Sequence, residues 1–236
     1  MDVDPFDPAV VRSAYDRVAD EYLAEFGGDL AKLPVDRAAL DEFGRRLGGR
    51  GPTLDVGCGP GQVSRYLASQ SEPEPESELE SGSWPQSGSG SGSFVGIDLA
   101  PRMLAAAQRA GGTRAAFVAA DMRSLPIADG HCAGLVAHYC VQHLPRSELG
   151  IVLGEFRRVL TGHGILALAA HLGTAAISIE QFLGHAIEPM GGTFYTEAEL
   201  TDALSTAGFA VASTLRRDAL PHEYPSERIY LLARAA

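Results

Sequence analysis

The segment that most constrains the fold is PTLDVGCGPGQVSRYLA, which runs from Pro52 to Ala68. It consists of a short apolar run, a turn with glycines at positions 57, 59 and 61, and a stretch with helical periodicity. The same order of apolar run, turn and helical stretch recurs in FVGIDLAPRMLAAAQRAGG. There, Pro101 is typical of the first residue of a helix and Gly111 of the residue that ends one. A strand, a tight turn and a helix, twice in succession, predict an α/β domain with parallel strands.

The rest of the chain continues this alternation and then departs from it. Further strands are predicted in RAAFVAADM (114–122), HCAGLVAHYC (131–140) and GILALAAHLG (164–173), with a helix over about 146–160. Thr196 and Glu199 form a capping box for a helix that ends near Gly208. FAVASTLRR and ERIYLLARA then follow with no helix between them. We therefore predict a seven-stranded sheet, mostly parallel, with helices on both faces and an antiparallel hairpin at the C-terminus.

The first 48 residues are predicted to be helical. Asp7 and Pro8 suit an N-cap and a first helical position, and apolar residues then recur every three or four positions as far as Phe26. This pattern predicts one amphipathic helix that ends at Gly27 and Gly28. A second helix, over about 35–47, ends at Gly48 and Gly49 by the same logic.

A low-complexity stretch, residues 70–93, interrupts the alternation. Nucleotide-binding α/β units place an acidic ribose ligand roughly 20 positions after the glycine-loop strand. Asp55 and Asp98 are 43 positions apart, and removing the 24 residues of the stretch leaves 19. We therefore interpret the stretch as a surface insertion within a single domain spanning 1–236, either a dispensable loop or a mobile flap or partner contact.

Composition excludes several classes of protein. The net charge is −11, and it is −6 without the five glutamates of the insertion, so a nucleic-acid binder is disfavoured. The three cysteines, Cys58, Cys132 and Cys140, lack the spacing of a zinc site or a disulfide framework and indicate a reducing cytoplasm. No signal-peptide pattern or long apolar segment is present, so we expect a cytoplasmic protein that does not use a membrane.

Four motifs at the ends of successive strands resemble those of the class I S-adenosylmethionine-dependent methyltransferases. They are DVGCGPG from Asp55, Asp98, the pair Asp121-Met122, and AHYCVQHLP from Ala137. The resemblance implies a Rossmann-like fold, S-adenosylmethionine as cofactor and S-adenosylhomocysteine as product. Glycines also allow the backbone to approach a ligand closely, whereas Gln62 replaces the third glycine of a dinucleotide fingerprint and no P-loop lysine is present.

The resemblance also implies roles for individual residues. Asp98 would accept hydrogen bonds from the ribose hydroxyls and Asp121 from the adenine amino group. The remaining expected cofactor contacts are Tyr15, Tyr22, Asp55, Gly57, Cys58, Gly59, Leu99, Met103, Met122 and the carbonyl of His138. For each acidic residue the alternative is a helix cap or a turn, and for Tyr15 and Tyr22 it is packing of a helix face.

Methyl transfer requires alignment of the reacting groups, and a base only when the acceptor must lose a proton. His138, His143 and His171, near the ends of the fourth and fifth strands, are the candidates, and each also has a structural alternative. His163 is expected to lie in a solvated turn. The stretch 173–195 combines apolar residues with a few polar ones, which favours an acceptor-side cap and a small-molecule acceptor. A non-catalytic cofactor-binding module and a nicotinamide-dependent oxidoreductase are the alternatives.

Overall fold

The computed structural model describes residues 4–70, 93–112 and 115–236. Its helices are α1 (Pro8–Arg17), α2 (Ala19–Phe26), α3 (Pro34–Leu47), α4 (Gln62–Gln70), α5 (Pro101–Ala110), α6 (Leu149–Val159) and α7 (Glu197–Thr206). Its strands are β1 (Thr53–Val56), β2 (Phe94–Asp98), β3 (Ala116–Ala119), β4 (Cys132–His138), β5 (Leu160–His171), β6 (Ala176–Phe182), β7 (His185–Thr193), β8 (Phe209–Arg217) and β9 (Arg228–Ala235). The predicted surface insertion lies, except for its two end residues, outside the described residues.

The strand order of the main sheet is β3-β2-β1-β4-β5-β9-β8. Neighbouring strands from β3 to β5 are parallel, whereas β9 is antiparallel to both β5 and β8. The predicted seven-stranded sheet with a C-terminal antiparallel hairpin is confirmed. The chain adds strands on one side of β1 and then returns to add β4 on the other. Open α/β sheets bind ligands at such a switch point.

Apolar layers cover both faces of the sheet. On β4, Val136 packs with Phe43 of α3 and Leu67 of α4, whereas the next residue back, Leu135, packs with Leu153 of α6. Successive side chains of a strand point to opposite faces, so a strand that is apolar throughout needs helices on both sides. Within the described residues, no helix has the length and apolar character required to cross a bilayer.

The N-terminal helix is interrupted, and the prediction of a single helix is wrong. Asp7 caps α1 as predicted, accepting a hydrogen bond from the Ala9 backbone N–H at 2.7 Å. At Val18, however, the backbone leaves the helical region with φ −110° and ψ 12°. Val18 is fully buried in a cluster with Ala100 and Met103. Packing against α5 thus outweighs the continuity of a helical turn.

The stretch between β5 and α7 forms a two-stranded antiparallel sheet, β6 with β7. This β6–β7 hairpin packs on α1, and Phe6 lies directly over Gly191, where a Cβ atom would be 2.5 Å from the ring. The Gly191 N–H also donates to the Pro5 carbonyl at 2.7 Å. The N-terminus and the hairpin therefore form one connected surface.

His163 lies in a strand, and the predicted turn is wrong. β5 begins at Leu160, which is buried and pairs with Cys132 before a register shift, so His163 is already part of the strand. Its exposure is as expected, and its Nδ1 atom lies 2.9 Å from Nη2 of Arg234.

Candidate active site

The glycine loop after β1 turns tightly over the end of β2. Gly57 and Gly59 have φ values of +67° and +52°, which residues with side chains rarely adopt. A Cβ atom on Gly57 would lie 2.3 Å from Cβ of Cys140. The backbone N–H groups of Gly57 and Cys58 both donate to the carbonyl of Ile97, at 2.7 and 3.0 Å. Position 57 therefore requires glycine for two reasons: its φ is positive, and a side chain there would collide with Cys140.

Asp98 holds this loop at the carboxyl end of β2. Its Oδ2 atom accepts a hydrogen bond from the Gly59 N–H and its Oδ1 atom one from the Ala100 N–H, each at 2.8 Å. Burial raises the pKa of Asp98 to about 6, although these hydrogen bonds oppose the shift. The carboxylate thus anchors the loop and still faces the cavity above it.

That cavity, here called the loop cavity, holds about 820 Å³ of empty space including its mouth. Ten of the residues expected to contact the cofactor line it: Tyr15, Tyr22, Gly57, Gly59, Asp98, Leu99, Met103, Asp121, Met122 and His138. Residues from α1, α2 and the ends of four parallel strands, β1 to β4, are therefore brought to one site.

Asp55 and Cys58 are not among the lining residues. Asp55 is 1% exposed, and its Oδ2 atom accepts a hydrogen bond from the Ser64 hydroxyl of α4 at 2.6 Å. Burial raises its pKa to about 6. The Cys58 thiol is also buried, close to Gly96 of β2. Both residues support the loop from below.

Asp121 is paired with a residue that the sequence analysis missed. Arg123 donates its backbone N–H to Oδ1 of Asp121 at 2.9 Å, and its Nη1 atom lies 3.1 Å from Oδ2. Arg123 also contacts Glu148 and lines the loop cavity. An arginine two positions after the aspartate is the local signal that could have identified it.

A second cavity, here called the hairpin cavity, adjoins the first. It holds about 1990 Å³ including its open entrance and lies between α2, the β6–β7 hairpin and the segment 217–228. Six residues line both cavities: Tyr15, Tyr22, Gln62, His138, Tyr139 and His143. These residues form the junction between the two spaces.

At the junction, Tyr15 of α1 contacts His143, which follows β4. The Tyr15 hydroxyl lies 2.7 Å from Nε2 of His143, and Nδ1 of the same ring lies 3.0 Å from the Gly191 carbonyl of β7. A carbonyl only accepts, so Nδ1 carries the proton and Nε2 accepts from Tyr15. Burial lowers the pKa of His143 to about 4, which keeps the ring neutral at pH 7.

His138 faces a buried polar network. Its Nε2 atom lies 3.6 Å from Oδ1 of Asp36, a fully buried residue of α3. Oδ2 of Asp36 accepts from Nε of Arg217 at 3.0 Å, and the Tyr139 hydroxyl donates to Oδ1 at 3.3 Å. Burial lowers the pKa of His138 to about 4, and Asp36 only partly opposes this. Neither Asp36 nor Arg217 belongs to a motif that the sequence shows, so neither was predicted as a site residue.

His171 lines the hairpin cavity and not the loop cavity. Its Nδ1 atom lies 2.8 Å from the Ser226 hydroxyl, and its ring stacks on Phe194 with centroids 5.4 Å apart. Burial lowers its pKa to about 3. The three candidate histidines therefore have different surroundings, and two of them reach the junction.

Comparison with known proteins gives a family match and a shared fold. Residues 82–164 match the family model described as a methyltransferase domain. No curated protein sequence matches the chain.

Solved structures with similar folds cover nearly the whole chain. One is the Burkholderia thailandensis 1,6-didemethyltoxoflavin-N1-methyltransferase with bound 1,6-didemethyltoxoflavin and S-adenosylhomocysteine, at 19% identity and a TM-score of 0.70, covering 99% of this chain and 91% of that one. Another is the Synechocystis magnesium protoporphyrin IX methyltransferase with bound SAM, at 17% identity and a TM-score of 0.67, covering 99% and 98%. A third, from Methanosarcina mazei, has 18% identity and a TM-score of 0.62 and covers 78% and 91%. At these identities the structures establish the fold. Residues 82–164 thus match a methyltransferase domain, and the chain has the fold of solved S-adenosylmethionine-dependent methyltransferases, with its motifs at the strand ends.

Proposed function

We propose that the protein transfers the methyl group of S-adenosylmethionine to a small-molecule acceptor, with the cofactor in the loop cavity and the acceptor in the hairpin cavity. The observation that carries the proposal is the junction, because six side chains line both cavities. In-line transfer requires nucleophile, methyl carbon and sulfur to meet at such a boundary. The cofactor, when bound, supplies an activated methyl group on a positively charged sulfur.

The residues of the loop cavity fit this cofactor. Asp98 has both carboxylate oxygens oriented by backbone N–H groups, and each oxygen has a further lone pair for a ribose hydroxyl. Leu99 and Met103 provide apolar surface for the adenine, and Asp121, held by Arg123, provides a hydrogen-bond acceptor for its amino group. The close approach permitted by Gly57 and Gly59 suits the methionyl part.

Two elements would cover the bound molecules. In this proposal, residues 1–48 act as a lid whose Tyr15 and Tyr22 face the cofactor, and residues 173–195 act as an acceptor-side cap. Tyr15, Tyr22 and Phe182 of the hairpin already form a cluster of edge-to-face rings with centroids 5.5 to 6.1 Å apart. Aromatic faces attract a sulfonium cation and exclude water from the junction.

Of the three candidate histidines, His143 has the geometry best suited to receive a proton. Its Nε2 atom accepts from Tyr15 at the junction, and the Gly191 carbonyl would stabilise the ring once it is charged. His138 reaches the junction but faces Asp36, and His171 is bonded to Ser226 within the hairpin cavity. We therefore assign the proton-accepting role to the Tyr15–His143 pair and positioning roles to the other two.

A small acceptor is supported by the walls of the hairpin cavity. They combine apolar side chains, including Ile177, Ile179 and Met190, with a few polar groups, as is usual for small-molecule sites. The structures with similar folds include one with 1,6-didemethyltoxoflavin bound beside S-adenosylhomocysteine.

The test is a calorimetric titration of the protein with S-adenosylmethionine, S-adenosylhomocysteine and NAD. Both adenosyl ligands are expected to bind and NAD is not, because α4 begins with Gln62 where a dinucleotide fold needs glycine. A tight NAD complex, or no binding of either adenosyl ligand, would contradict the proposal. Methylated product from a small-molecule library then distinguishes an enzyme from a binding module.

Cofactor affinity is expected to fall below pH 6. Ionised Asp98 accepts hydrogen bonds from both ribose hydroxyls, and protonation removes this capacity. With its pKa at about 6, the dissociation constant of S-adenosylhomocysteine should be constant above pH 7 and rise about tenfold per pH unit below 6. His138 and His143, with pKa values of about 4, do not titrate in this window. Asp98→Asn is the control and should abolish the dependence, whereas a dependence that persists in this variant would assign it to another group.

A further inference from the structure

The guanidinium groups on the wall of the hairpin cavity are already neutralised. Arg217 contacts both carboxylate oxygens of Glu223, at 2.5 and 2.8 Å, and its Nε atom donates to Asp36. Arg228, 4% exposed, lies 3.4 Å from Glu223 and donates to the Tyr224 carbonyl and to Ser226. Although burial opposes it, hydrogen bonding from Arg217 lowers the pKa of Glu223 to about 2. Buried Arg228 and part-buried Arg217 thus have their ion-pair partners, Glu223 and Asp36, within the protein.

Besides these groups and the histidines, the charged side chains on the described wall are acidic. Asp29 and Glu180 line the cavity, and only Asp29 has a cationic partner among the described residues, the exposed Lys32. His138 and His171 are neutral at pH 7 because burial lowers their pKa values to about 4 and about 3. An anionic acceptor would therefore lose hydration without gaining an unpaired Lys or Arg side chain of the described wall, which is costly in a partly buried site.

Two clusters of aromatic rings line this cavity. In one, Phe194 stacks on His171, and Tyr224 meets Phe194 edge to face with centroids 5.2 Å apart. In the other, Phe182 meets Tyr15 edge to face with centroids 5.5 Å apart. Such surfaces favour flat ring systems by offset stacking and edge contacts.

Among the described residues that line the cavity, three have a buried polar atom without a hydrogen-bond partner: Gln62 (Oε1), His138 (Nε2) and Gln142 (Oε1). Of these three, Gln142 alone lines the hairpin cavity without also lining the loop cavity. The Oε1 atom of Gln142 is buried and accepts no hydrogen bond from the described part of the chain. Gln142 immediately precedes the junction residue His143 in a short 3-10 turn, and it lines the hairpin cavity. A buried carbonyl oxygen is costly without a donor, and a ligand N–H or O–H would satisfy it.

From these observations we infer that the acceptor is an uncharged aromatic or heteroaromatic molecule bearing an N–H or O–H group, and that Gln142 accepts a hydrogen bond from that group. The inference rests on the proposed function, since it places the acceptor in the hairpin cavity. It excludes phosphorylated and carboxylated acceptors as preferred substrates.

The experiment uses matched pairs of probes and protein saturated with S-adenosylhomocysteine. The pairs are catechol with protocatechuate, indole with indole-carboxylate, and hydroxyquinoline with hydroxyquinoline-carboxylate. Ligand-observed NMR should show that the uncharged members bind at least about tenfold more tightly. Equal or tighter binding of the carboxylates, or no binding of any uncharged member, would overturn the inference.

Two variants test the roles assigned to Gln142 and Glu180 in acceptor binding. Gln142→Leu should weaken binding of the uncharged probes about fivefold, whereas Gln108→Leu, an exposed position on α5, should not. Glu180→Lys places a cation on the wall and should improve binding of the carboxylates about tenfold. Glu188→Lys, exposed on the same hairpin but outside the cavity, is its control. Wild-type affinities in both test variants would contradict the inference.

Failure of the proposed function and failure of the acceptor assignment would give different experimental results. Calorimetry with S-adenosylhomocysteine reports on the loop cavity alone, so loss of that binding overturns the proposed function. Normal cofactor binding combined with a preference for the carboxylates overturns only the assignment of the acceptor.

Discussion

Replacing Asp98 with alanine is expected to weaken binding of S-adenosylhomocysteine by about 100-fold or more. The substitution removes a carboxylate placed to accept two ribose hydroxyls, and hydrogen bonds to a charged group contribute roughly 1.5–3 kcal/mol each. It also removes the hydrogen bond that the Gly59 backbone N–H donates to Oδ2 of Asp98 at 2.8 Å. The measurement is calorimetry together with thermal unfolding. Ligand at 100 times its dissociation constant stabilises wild type by about 2.7 kcal/mol, or about 5–10 °C, and this shift should be absent from the variant.

Two further variants make this result specific. Asp98→Asn retains a carbonyl oxygen for the loop and should bind with intermediate affinity at pH 7. Asp202→Ala removes an exposed carboxylate on α7, outside both cavities, and should bind like wild type. If Asp98→Ala folds and binds the ligand with wild-type affinity, the assignment of the ribose site is wrong.

Replacing Gly57 with alanine should destabilise the fold by about 3 kcal/mol or more. A side chain at φ +67° costs about 1–2 kcal/mol, and the new Cβ atom would lie 2.3 Å from Cβ of Cys140, a buried residue after β4. The loop and the β4 end must therefore separate, which also displaces the wall of the loop cavity. Urea denaturation measures the loss of stability, and calorimetry the accompanying loss of cofactor binding.

Gly48→Ala is the matched control for this substitution. Gly48 has φ +56° and ψ +34°, and a Cβ atom there would meet only the Arg45 carbonyl, at 3.8 Å, so only the conformational cost of about 1–2 kcal/mol is expected. Combining Gly57→Ala with Cys140→Gly removes the steric contact and should recover part of the lost stability. Equal costs for Gly57→Ala and Gly48→Ala would show that crowding against Cys140 is unimportant.

Predictions from the sequence succeeded where short-range chemistry decides the structure. The caps at Asp7 and Thr196 and the left-handed end of α3 at Gly48 each depend on residues only a few positions apart. The prediction of one helix across Val18 failed because burial against α5 broke a pattern that local periodicity favours. Likewise, strand alternation could not show that Asp55 lies beneath the loop, since its hydrogen bond to Ser64 depends on how α4 packs.

The α/β alternation, the glycine turn and the edge at which Asp98 and Asp121 lie could be predicted from the amino-acid sequence, because strand and turn propensities act over neighbouring residues and parallel strands end at one edge. Which side chains meet at the junction depends on tertiary packing. Tyr15 and His143 are separated by 128 positions, and Asp36 and Arg217 by 181. No local pattern links such pairs. Their contact arises because α1, α3, the β6–β7 hairpin and the C-terminal strands pack around the same end of the sheet, and burial there keeps His143 neutral.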